Sequence, residues 1–455
     1  MAEPLPTPPD PTMPPPRWFA DQRLRRLFSN AGILLGGKGF NALFSLAGLA
    51  IAARALGAEE FGVLVLIHTF TQAIGEIAKF QSWQAVIRYG TPALDSGDRP
   101  AFQRLLRFTV LLDGVSALAG MVLSVLIAWF VGPHLHWPAE VMPAALIYVT
   151  SVLFMVTATP TGVLRLVDRF SLLSVQGTLG WFVRMAAGLA VWLAGGGLVA
   201  FLAAWYLATV VAGLFLIAAG WRELRTRGLL EGFRWRGEGP MTHGFPGIWS
   251  FVWSTNLNST LELAFTHVGT LVVGWMMGST EAGLFRVARQ VADGVAKPAK
   301  LLVPAIYPEL ARLAAAGDRA SMRHLIERSA LIAGAGATAL MLVAALLGKP
   351  LLSLVLGPEF VSAYGVMLWL IAAAVVGIWS FPLEPMLISN GQAGTATRIR
   401  AWTSALYIPA LFLALDHAGL AGAGWVRLAV AVLMFAAFLR PVLRWFRQPA
   451  VQSAG

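Results

Sequence analysis

Apolar side chains gather along this chain in twelve runs, at 30–53, 61–82, 108–132, 141–163, 171–194, 197–219, 247–277, 282–306, 330–356, 360–388, 397–415 and 420–439. A hydrocarbon layer about 30 Å thick is crossed by about 20 residues of helix, so each run predicts one membrane-spanning helix. Six runs lie on either side of a basic interval, WRELRTRGLLEGFRWRGE at 221–238. The pattern predicts an all-α polytopic membrane protein with 12 transmembrane helices and both termini cytoplasmic. Two six-helix bundles, 29–220 and 246–440, are joined by a basic cytoplasmic linker at 221–245 and followed by a cytoplasmic tail at 441–455. Positions 1–28 read as a Pro-rich, then basic, cytoplasmic tail with no capacity to pack, and disorder is expected there.

Polar positions inside the runs also keep a helical period. In the stretch GSTEAGLFRVARQVADGVAKPAK, 278–300, the residues Arg286, Arg289, Asp293, Lys297 and Lys300 are spaced 3, 4, 4 and 3 apart and share one face of a helix. A charge at membrane depth costs roughly 2.5–3.5 kcal/mol on insertion scales, which makes this stripe a candidate functional site. Moving the chain by 221 positions lays Gly57-Ala-Glu-Glu60-Phe-Gly62 on Gly278-Ser-Thr-Glu281-Ala-Gly283. His68 then falls on Arg289, Gln72 on Asp293, Glu76 on Lys297 and Lys79 on Lys300, so the second helix repeats the stripe of the eighth. With six spans per half, such a repeat is parallel, about an axis along the membrane normal, and the substrate path lies between the halves.

Charge supports the helix count. Net charge is +11, and nearly all loop cations fall on alternate segments, while the segments assigned to the outer side carry only Arg54 and Lys349. That asymmetry is the positive-inside pattern, and it accounts for the basic balance without nucleic acid. Apolar residues make up 57% of the chain and charged residues 13%, outside the range of soluble domains. There is no Cys, which removes thiolate nucleophiles and Cys-ligated metals. The sequence shows no zinc motif, phosphate-cradling Gly loop or nucleophile elbow, so neither an enzyme nor a cofactor is expected.

Other polar residues fit a lumen between the halves. Lys38, Asn41 and Ser45 share a face of the first helix, and Thr255, Ser259, Glu262 and Thr266 share one of the seventh. Cations outnumber anions on the central stripe, which suits an anionic head group, and Arg offers a fork matched to phosphate oxygens. The candidate substrate-binding residues are Arg286, Arg289, Lys38, Lys79, Lys297 and Asn41. Candidates for ion coupling or ion pairing are Glu76, Asp293, Glu262 and His68. Structural readings stand beside these. Arg289 with Asp293 and Glu76 with Lys79 pair along one helix, Lys297 and Lys300 reach toward head groups, His68 packs as a hydrogen-bonded residue, and Arg184, Glu384 and Arg427 make isolated contacts between helices.

ALGAEEFGVLVL, GVLRLVDRF at 162–170, GSTEAGLFRVARQV followed by VPAIYPELARL, and LLSLVLGPEFVSAYGVMLWL resemble signatures of bacterial oligosaccharide flippases. These belong to the polysaccharide-transport branch of the multidrug/oligosaccharidyl-lipid/polysaccharide exporter superfamily, which includes O-antigen translocases. The resemblance covers residues 27–440 in order and spacing. It implies an inner-membrane protein that moves undecaprenyl-pyrophosphate-linked oligosaccharide to the periplasmic leaflet by alternating access through a cationic cavity, for cell-surface polysaccharide such as O-antigen or exopolysaccharide. It also implies lumen cations at Lys38, Lys79, Arg286 and Arg289, with membrane lipids and polysaccharide polymerase machinery as partners. A drug/cation antiporter of the same superfamily shares the fold, but it needs carboxylates in its bundles. A membrane glycan polymerase or ligase is the rival of a different class, and it needs a long outer loop.

Overall fold

In a computed structural model, residues 22–235 and 240–447 are described, and among them the chain is helical with no strand. The elements are α1 (Gln22–Ala78), α2 (Ser82–Asp95), α3 (Arg99–Val131), α4 (Met142–Val149), α5 (Val152–Met155), α6 (Ala158–Leu166), α7 (Phe170–Leu193) and α8 (Leu198–Thr226). Beyond the linker follow α9 (Ile248–Met277), α10 (Ser279–Ala315), α11 (Arg319–Val355), α12 (Tyr364–Ser380), α13 (Leu383–Ser389) and α14 (Ala393–Arg447). Among the described residues, 6 stretches are long and apolar enough to cross a bilayer: Arg99–Leu135, Met142–Leu166, Leu198–Thr226, Arg319–Val355, Pro358–Ser389 and Ala393–Arg447. The twelve runs expected from the sequence fall in largely helical chain, although the one at 141–163 is divided among α4, α5 and α6, the one at 61–82 ends across the α1–α2 break, and the one at 360–388 is divided between α12 and α13.

The two G-x-x-E-x-G boxes are sharp breaks. α1 bends at Gly57 (φ 70°, ψ 177°), and α9 passes to α10 through Gly278 (φ 100°, ψ −178°), a conformation that a side chain strongly disfavours. The second glycines of the boxes bring α1 against α10. A Cβ built on Gly62 would lie 1.9 Å from the Ser279 carbonyl oxygen, and one on Gly283 would lie 3.1 Å from the Gly62 Cα. Phe61 stacks edge-on against Phe360 at 5.5 Å beside this contact. Arg54 donates to the carbonyl of Val355 at 2.9 Å and also to that of Leu354, while Glu359 accepts from the Ala58 amide at 2.9 Å. Backbone and side chains therefore seal one end of the molecule between its two halves.

The same turn recurs elsewhere in both halves. Gly97 (φ 71°) precedes Asp98, which caps α3 by accepting from the Ala101 amide at 2.9 Å; Gly317 (φ 66°) precedes Asp318, which caps α11 through the Ser321 amide at 3.0 Å. The linker does not hang free where it is described. Gln103 on α3 donates to the carbonyls of Leu229 and Glu231, Arg99 pairs with Glu231 at 3.0 Å, and Phe233 and Trp235 pack with Trp221.

Asp113 on α3 ties three helices together. Its carboxylate accepts from the Ser82 hydroxyl of α2 and the Thr159 amide of α6, each at 2.6 Å, and it is buried. Removing an acceptor while the buried donors remain costs their desolvation, so Asp113→Ala is expected to destabilise the N-terminal half by about 2 kcal/mol. Asp113→Asn, which keeps one acceptor oxygen, is expected to lose less. Thermal unfolding of the two variants in one detergent measures the difference.

Candidate functional site

Helix α10 carries the predicted stripe into the space between the halves, but its residues part company there. Arg289 and Asp293 face a cavity of about 550 Å³ within the C-terminal half. It is enclosed by α10, α12, α13 and α14, and begins about half a turn beyond the Gly62–Gly283 seal, at Phe285. Arg289 lies 3.8 Å from Asp293, and Arg400 on α14 pairs with Glu384 on α13 at 2.8 Å across the wall. Arg427 also lines the cavity and has no carboxylate partner among the described residues; its guanidinium lies 5.6 Å from the Tyr407 ring centroid. Three cations and two anions leave the cavity net positive. Tyr307, Phe381 and Phe438 add aromatic wall.

Arg286, one turn earlier, turns toward the N-terminal half. With Ser45, His68, Trp181, Arg184, Trp205 and Gln290 it lines a slot of about 10 Å³, room for one water. Gln290 donates to the Ser45 hydroxyl at 3.0 Å and so ties α10 to α1. Arg184 on α7 is buried, donates to His68 Nε2 at 3.2 Å, and lies 4.5 and 4.9 Å from the ring centroids of Trp205 and Trp181. A guanidinium has only donors, so His68 Nε2 is the acceptor, and the proton sits on Nδ1, which donates to the Tyr148 hydroxyl at 2.7 Å. The histidine is held as the neutral ring.

The remaining predicted residues scatter. Lys297 is exposed, Glu76 and Lys79 are half-buried, and Lys79 lies within electrostatic reach of Asp113. Asn41 is half-buried with its Nδ2 near Gly177, and its Oδ1 has no partner among the described residues. The side chains of Lys38, Glu262, Ser259, Thr266 and Lys300 lie outside the described residues. Thr255 bonds its own helix at the Phe251 carbonyl, 2.9 Å away. Glu384 and Arg427 are not isolated: the former bonds Arg400, and both line the cavity with Arg289. Sequence reasoning had no signal for Tyr407 or Trp205, because aromatic residues on apolar helices look like packing.

Residues 27–314 match the family described as polysaccharide biosynthesis protein. The inner membrane protein YghQ of Escherichia coli (strain K12) is 34% identical over 347 residues, covering 76% of this chain and 97% of the relative. Among solved structures, an inward-facing multidrug resistance MATE family transporter of the MOP superfamily superposes with a TM-score of 0.72 at 13% identity, covering 92% of this chain and 100% of the other. The lipid II flippase MurJ in an inward closed conformation gives 0.69 at 11% identity, covering 91% and 88%. The chain shares the fold of these membrane proteins, and the net-positive cavity lies within it. The chain belongs to the polysaccharide biosynthesis protein family and is a multi-pass inner-membrane protein.

Proposed function

We propose that this protein moves undecaprenyl-pyrophosphate-linked oligosaccharide from the cytoplasmic to the periplasmic leaflet by alternating access between two six-helix bundles, for cell-surface polysaccharide synthesis. The observation that carries the reading is the net-positive cavity of about 550 Å³ beside Arg289, in a chain of a polysaccharide biosynthesis family. Its cations and aromatic walls suit a pyrophosphate and a sugar together, while the lipid tail stays in the bilayer. Twelve spanning helices, cytoplasmic termini and a parallel repeat are part of this reading. They are supported by the paired breaks at Gly57 and Gly278 and the paired capped turns at Asp98 and Asp318. With that topology the seal lies on the outer side and the cavity toward the cytoplasm.

The antiporter reading finds less support. Asp293 and Glu384, the cavity's two carboxylates, lie 3.8 and 2.8 Å from an arginine each, so a cationic drug entering the cavity meets both with a counter-ion already in place. The test is transfer of a fluorescent undecaprenyl-pyrophosphate oligosaccharide across proteoliposomes. Accelerated transfer over protein-free vesicles is expected, and folded protein that transfers nothing ends the reading.

A further inference from the structure

The slot between the halves has a charge problem that the cavity does not. Arg184 and Arg286 both line it, one from α7 and one from α10, and no carboxylate does among the described residues. Arginine does not discharge in proteins, so both remain cations. Arg184 is only 9% exposed, and its Nε, buried, has no hydrogen-bond partner among the described residues. The side chain's polar contact with protein is a neutral histidine, which relieves little of the desolvation cost. Trp181 and Trp205 hold the guanidinium in place on cation–π contacts without neutralising it. A rigid buried cation with an unused donor, facing a second cation on a separate element, is the arrangement an anion bridges.

We infer that Arg184 and Arg286 form a two-sided clamp for the pyrophosphate, with Arg184 as a substrate-binding residue on α7. The inference rests on the flippase reading above and adds to it a ligand contributed by the N-terminal half. At about 10 Å³ the slot does not admit pyrophosphate, so α10 must part from α7 and α8 for the anion to enter. Ser45 and Gln290, whose hydrogen bond bridges the same gap, are freed by that movement and can donate to the phosphate oxygens. With the anion between them, the two arginines attract the halves toward each other; without it they repel. Binding and the approach of the halves are thereby linked.

The experiment measures binding of undecaprenyl pyrophosphate, with undecaprenol as the uncharged control, to the purified full-length protein in nanodiscs. A charge-assisted hydrogen bond is worth roughly 1.5–3 kcal/mol, so Arg184→Gln is expected to weaken binding roughly 10- to 100-fold, with Arg184→Lys between the two. A positioning role alone leaves Lys as poor as Gln. As a check independent of folding of the variants, phenylglyoxal labelling of the unaltered protein is read by mass spectrometry, and the lipid is expected to protect Arg184 and Arg286 together. Protection of Arg286 with Arg184 unprotected overturns the clamp and leaves the flippase reading standing. Equal binding of undecaprenol and undecaprenyl pyrophosphate overturns both.

Discussion

Gly62→Val is expected to open the sealed end of the protein. The Cβ of any residue at 62 would sit 1.9 Å from the Ser279 carbonyl oxygen, a backbone atom that cannot swing aside, and Gly283 meets the Gly62 Cα from the other direction. α1 and α10 must then separate where they cross. Overpacking costs roughly 1–3 kcal/mol, and each 1.4 kcal/mol shifts an equilibrium about tenfold. Phe61–Phe360, Arg54 and Glu359 remain to resist the opening, so the seal loosens without the fold being lost. Because the chain has no cysteine, Ser279→Cys supplies a single thiol for an impermeant maleimide. Its labelling rate is expected to rise roughly tenfold when Gly62→Val is added, and transport to fall, since the cycle must pass through the sealed state. Unchanged labelling would mean that the seal is held by the side chains alone.

Much of this architecture was legible because membrane helices are written in long apolar runs with a fixed polar period. The G-x-x-E-x-G boxes could be found by sliding the chain, yet their role could not. Gly57 and Gly278 both take a positive φ, and Gly62 and Gly283 touch, a relation between positions 221 residues apart that no local pattern encodes. The stripe on α10 shows the other limit. Three residues along a helix advance about 300°, so Arg286 and Arg289 are neighbours some 60° apart. At a junction between two halves that angle suffices to send one into the slot and the other into the cavity. Periodicity fixes an angle on a helix and leaves open what lies opposite. For the same reason the pairing of Arg400 with Glu384, on separate helices across the α13–α14 turn, leaves no mark in the periodicity of either helix.

Arg289→Ala is expected to lower leaflet transfer of an undecaprenyl-pyrophosphate oligosaccharide by roughly 10- to 100-fold, the value of a charge-assisted contact to the anion. The variant removes one of three cavity cations and leaves Asp293 facing the cavity without it. Loss of activity alone does not separate a binding role from a structural one, because Arg289 and Asp293 lie at i, i+4 and support each other along the helix. Asp293→Asn separates them by sign. If the pair is structural, either substitution weakens the protein and lipid binding falls in both. If Arg289 binds the pyrophosphate, Asp293 competes with the substrate for the same guanidinium, and neutralising it frees the fork. Affinity for undecaprenyl pyrophosphate is then expected to rise in Asp293→Asn while it falls in Arg289→Ala, and release on the far side to slow as the complex tightens. The pair at 3.8 Å is longer than a good hydrogen bond, which is the geometry of a counter-ion that can be exchanged for a better one. Weaker binding in both variants would return Arg289 to the structural reading and leave the anion to Arg184, Arg286 and Arg427.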